Sequence, residues 1–104
     1  MTRERVLAWL ASREPAAPAE LAARLERCVA ALPEERLGDT MTRAMSALGV
    51  FALEGSLAKG ETGDEAAMDL LTADAFVTYA FEAAAEEGLD VNPVAAKLLE
   101  EVAR

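Results

Sequence analysis

The chain has 104 residues, 53% of them hydrophobic and 5% aromatic, with one Cys, no His and a formal charge of −9. That is the length of one domain, spanning 1–104, and roughly two thirds of the unfolded chain's surface would be buried on folding, so a core needs neither metal nor disulfide. A lone cysteine excludes an internal disulfide, and the absence of His removes every Ser-His-Asp or Cys-His arrangement and the Glu-x-x-His pattern of di-iron bundles.

Thr2 caps a first, short helix over about Arg3 to Arg13, with Val6, Leu7 and Leu10 as its apolar stripe and Trp9 on the flank. Pro15 drives Glu14 out of helical geometry, and Pro15–Pro18 forms a short stiff link. Pro18 opens a second helix running to about Leu32, in which Leu21, Leu25, Cys28, Val29 and Leu32 make the cleanest amphipathic pattern of the chain. Cys28 therefore reads as a small buried hydrophobe. Pro33 starts one further turn, Glu34–Leu37, which Gly38 closes.

Asp39 or Thr40 caps a third helix ending near Lys59. One face of it carries Met41, Ala44, Met45, Leu48, Phe51 and Ala52; a second apolar line, Val50, Leu53 and Leu57, appears only in its C-terminal half. Gly49 and Gly55 each cost about 1 kcal/mol of helix stability relative to Ala, which close helix approach would offset. The short link 60–63 makes the third and fourth helices antiparallel neighbours.

The fourth helix runs from Thr62 to Gly88, with Thr62 and Glu65 at capping-box spacing and Gly88 suited to a left-handed stop. Met68, Leu71 and Ala75 lie on one side and Leu70, Val77 and Phe81 on another, which predicts a central helix apolar nearly all round. The doubly apolar half of the third helix then faces the doubly apolar start of the fourth, placing the centre of the bundle there, with Phe76, Leu71, Leu48 and Phe51 buried. Glu65, Asp69 and Thr72 share one polar line and Asp74, Thr78 and Glu82 another, so different neighbours should cover the two ends. Asn92 and Pro93 begin a last helix striped by Val94 or Ala95, Leu98, Leu99 and Val102. No segment alternates as a strand does. The expectation is an all-α bundle of four main helices plus the short N-terminal one.

Chemistry has few footholds. Gly60 and Gly63 flank no Lys-Ser/Thr pair, so there is no phosphate loop. Asp69 and Asp74 stand about 140° apart around their helix and do not converge on a metal. Glu54, beside the second apolar line, reads as a capping or ion-pairing acid. Leu-Leu-Thr-Ala-Asp-Ala-Phe-Val-Thr-Tyr-Ala-Phe-Glu (Leu70–Glu82) resembles a helix of polyprenyl diphosphate synthases. The likeness covers 13 of 104 residues, and that family's Asp-Asp-x-x-Asp motif is absent, so it implies no activity here.

Residues 1–52 carry seven Arg against seven acids, whereas residues 53–104 carry Lys59, Lys97 and Arg104 against twelve acids, the whole of the −9. An acidic half repels phosphate backbones, which argues against direct nucleic-acid binding. The longest charge-free apolar run, Ala44–Leu53, is too short to span a bilayer, and the N-terminus carries no signal-peptide pattern, so a cytoplasmic setting is expected. These features point to a non-enzymatic interaction protein without cofactor, acting as a homo-oligomer or as a subunit of a larger assembly. The self-contact is expected on the less acidic surface, at Val6, Trp9 and Leu10 or at Met41 and Met45. The alternatives are a binder of a small apolar ligand inside the bundle, lined by Tyr79, Thr78 and Glu54, and an acidic inhibitor that mimics nucleic acid.

Overall fold

The computed structural model describes residues 1–59, 63–89 and 99–101. The chain is all-α, with α1 (Arg3–Ala11), α2 (Ala19–Ala31), a 3-10 turn (Glu34–Leu37), α3 (Met41–Lys59) and α4 (Gly63–Glu86). The expected last helix lies outside the described residues apart from a helical piece at 99–101. Its expected cap, Asn92, and the expected cap of α4, Thr62, also lie outside them.

Helix ends follow local chemistry and, in two places, long-range chemistry. The Thr2 hydroxyl accepts from the Arg5 N–H at 3.2 Å and starts α1. α1 stops two residues earlier than its pattern predicts, because the Trp9 carbonyl is taken by the Ser12 hydroxyl (2.6 Å) and the Arg13 guanidinium (3.3 Å). Pro18 stands just outside α2 as its cap residue. At the far end of α2 the Arg3 guanidinium donates to the Val29 and Leu32 carbonyls at 3.0 and 2.8 Å, satisfying acceptors that the helix leaves open. Of the two candidates for the α3 cap, Thr40 makes the bond, accepting from the Arg43 N–H at 3.1 Å. The Glu87 carboxylate, just beyond α4, accepts from the Met41 and Thr42 N–H groups, both at 3.0 Å, and from the Thr42 hydroxyl. An anion thus sits on the positive end of α3. α4 ends as expected: Gly88 has φ 70°, and the Leu89 and Gly88 N–H groups donate to the Ala84 and Ala85 carbonyls.

α3 and α4 form the most extensive helix pair, and it is antiparallel, with Glu87 against the start of α3. Val6 of α1, the α2 stripe and Leu37 of the 3-10 turn pack with Met41, Ala44, Met45 and Leu48 of α3 and with Phe76, Ala80 and Ala83 of α4. Leu48 and Phe76 are fully buried and Phe51 partly so, but Leu71, expected among them, is 45% exposed. The buried stripe of α4 is Thr72, Ala73, Phe76, Ala80, Ala83 and Ala84, so apart from Phe76 it is made of small side chains. The physical reason is volume: α3 already brings Met41, Met45 and Leu48 to the seam, and only small partners let two such helices close to packing distance. The centre of the molecule therefore lies at the N-terminal half of α3 and the C-terminal half of α4, opposite to the end where the sequence shows most apolar lines.

Candidate interaction surface

Two polar clusters fasten α4 to the first half of the chain. Near the C-terminal end of α4, the Trp9 indole donates to Glu86 at 3.0 Å and the Arg13 guanidinium donates to the same carboxylate. Arg13 also stands 3.8 Å from Glu82 and lies over the Trp9 ring, 3.8 Å from its centroid. Trp9 meets Tyr79 edge-on, with ring centroids 6.0 Å apart. The Arg13 hydrogen bond, seconded by Trp9, holds the Glu86 carboxyl below its ordinary pKa, whereas burial pushes the Tyr79 phenol up.

Near the N-terminal end of α4, Arg24 of α2 donates to Glu65 at 2.9 and 3.0 Å and to Asp69 at 3.1 Å. The Glu65 hydrogen bond leads in raising the guanidinium pKa against desolvation. Glu65 therefore serves as the partner of Arg24 across 41 residues, a role that its capping-box spacing gives no sign of. The Thr72 hydroxyl, buried on the same line, donates to the Met68 carbonyl at 2.7 Å.

Beside Arg24 opens a groove of about 290 Å³ between α2, α3 and α4, walled by Arg27, Cys28, Phe51, Gly55 and Ser56. Cys28 is thus half-buried on a groove wall, not deep in the core. None of Tyr79, Thr78 and Glu54 lines this groove: Tyr79 packs on Trp9, and Thr78 and Glu54 are exposed. Among the described residues no group of three or more His, Cys, Asp or Glu side chains is placed to hold a metal ion, and no helix is long and apolar enough to cross a membrane.

Of the residues expected at a self-contact, Val6, Met41 and Met45 are buried among the chain's own helices, and Trp9 and Leu10 are partly buried against the same core. Leu7, beside them on α1, is 38% exposed, but more exposed leucines lie elsewhere. Leu57 is 71% exposed and Leu70 52% exposed, at the end of the hairpin that the core does not reach. Val50, Leu53, Val77 and Phe81, which continue their two lines, are half-buried. Both lines are visible in the sequence, but periodicity does not distinguish a line that faces a neighbouring helix from one that faces outward. No family model matches the chain, and neither the curated proteins nor the solved structures contain one detectably similar to it.

Proposed function

We propose that the chain is a small acidic, non-enzymatic helical interaction protein of the cytoplasm, acting as a homo-oligomer or as a subunit of a larger assembly and not on nucleic acid. The observation that carries this reading is the exposure of Leu57 and Leu70 on the outer side of the α3–α4 hairpin. Covering what remains exposed of these two leucines contributes about 1–2 kcal/mol each, and exposed apolar surface of this kind commonly marks a contact. The polar groups with displaced pKa values, Arg24, Tyr79 and Glu86, all belong to contacts that tie helices together. A homodimer, in which one strip serves both subunits, is one form of the proposal.

Light scattering after size exclusion, combined with cross-linking in an extract, tests the reading. A self-associated species, or a cross-linked partner lost in a Leu57→Ser, Leu70→Ser variant, is the expected result. A chain that stays at 11.0 kDa and captures nothing through these leucines would overturn it. The groove beside Arg24 favours a second reading, a binder of a small apolar ligand. A thermal shift with small aromatic compounds, abolished by Gly55→Leu, is what that reading predicts.

A further inference from the structure

The chemistry of the partner can be read from the same strip, and this inference rests on the interaction reading. Val50, Leu53 and Leu57 recur at three- and four-residue spacing on α3, so they share a face. On α4, Leu70 and Val77 are two turns apart on one face. A Cβ at Gly49 would stand 3.5 Å from Cβ of Phe76 and 3.5 Å from Cγ2 of Val77, so the two lines flank the seam where α3 and α4 approach closely. They form one apolar strip along the hairpin.

Acids border it. Glu54 is one turn from Val50 and from Leu57; Asp74 is one turn from Leu70 and from Val77. Both are exposed, and neither makes an ion pair with another of the described residues. The arginines that reach α4 are engaged elsewhere, Arg13 at Glu82 and Glu86 and Arg24 at Glu65 and Asp69. The half of the chain that holds most of the strip carries the entire −9. A second copy would set these acids against themselves, and a phosphate backbone or an anionic membrane surface would be repelled.

We propose that this strip takes a cationic amphipathic helix of a partner protein, its apolar side covering Leu57 and Leu70 and its Lys and Arg side chains meeting Glu54 and Asp74. The test titrates the isotope-labelled full chain with a short leucine–lysine amphipathic peptide and, in parallel, with its leucine–glutamate counterpart, following backbone amide signals. Shifts should centre on residues 50–57 and 70–77 with the lysine peptide and be absent with the glutamate peptide. Raising salt from about 0.05 to about 0.3 M should weaken binding about tenfold. The Leu57→Ser, Leu70→Ser variant should lose the response with helical circular dichroism intact, and Glu54→Lys with Asp74→Lys should switch the preference to the glutamate peptide. Equal binding of both peptides, shifts centred elsewhere, or no response would overturn the inference. A doubled mass that Leu57→Ser, Leu70→Ser restores to 11.0 kDa would also overturn it, while leaving the interaction reading standing with a second copy as the partner.

Discussion

At one end of the α3–α4 hairpin, Ala44, Met45 and Leu48 meet Phe76, Ala80 and Ala83 with almost no exposure; at the other, Leu57, Leu70 and Leu71 stand largely in solvent. The helices are the same two, and propensity and hydrophobicity are similar along both. The difference comes from what the first forty residues do. The α1 stripe, α2 and the 3-10 turn crowd around the closed end, and three long-range devices lock it: Glu87 on the start of α3, Arg3 on the end of α2, and the Trp9–Arg13–Glu86 clamp. Among the described residues the open end has one such tie, Arg24 to Glu65 and Asp69, beside a groove. Stability is concentrated where large side chains of α3 interlock with Phe76 and the alanines of α4, and apolar surface remains where no third element covers the pair.

The widest gap between the ends should appear in truncations. Phe76→Ala should cost about 3–5 kcal/mol, while Leu71→Ala, five residues earlier on the same helix, should cost less than about 1 kcal/mol. Denaturant unfolding of both variants checks this, and equal costs would abolish the contrast. Glu87→Ala should cost about 1–2 kcal/mol, since it frees the Met41 and Thr42 N–H groups and the Thr42 hydroxyl together; hydrogen exchange should quicken first at the start of α3.

Acid should loosen the closed end through Glu86. Its carboxyl titrates below its ordinary value of 4.5, so the clamp's contribution is complete above that pH and is lost as pH falls through the lower, folded-state value. Trp9 fluorescence should report the change, and Glu86→Gln should remove the transition in that window. The smallest effect should be a gain. A Cβ at Gly55 would meet nothing within 4 Å, so Gly55→Ala should stabilise the chain by about 0.5–1 kcal/mol through helix propensity. At Gly49 a methyl would just touch Phe76 and Val77, so anything larger than Ala should push the helices apart.

Much of the closed end was legible before the structure. The α2 stripe, the turn between Pro33 and Gly38, the Thr2 and Thr40 caps and the Gly88 stop are local signals, each set by residues within a few positions of one another. Residues that act over long sequence distances carried no such signal: nothing near Arg3 announces that it will cap α2, and nothing near Glu87 that it will cap α3. Size alone is an incomplete guide to burial on α4: Phe76 is buried as expected, but Leu71 is 45% exposed. Ala80, Ala83 and Ala84 are buried because they are small enough for α3 to approach, and Leu70 and Leu71 are left outside. The surplus apolar lines of α3 and α4 were visible, but which of them a neighbour covers depends on where α1 and α2 pack.

The distinction between a closed end that holds the fold and an open strip that meets a partner is tested most directly by urea unfolding of the full chain carrying Leu57→Ser and Leu70→Ser. If the strip is free for a partner, the unfolding free energy should stay within about 1 kcal/mol of the unaltered chain. A loss of about 3 kcal/mol or more would show that these leucines are packed into the chain's own core and would contradict that division.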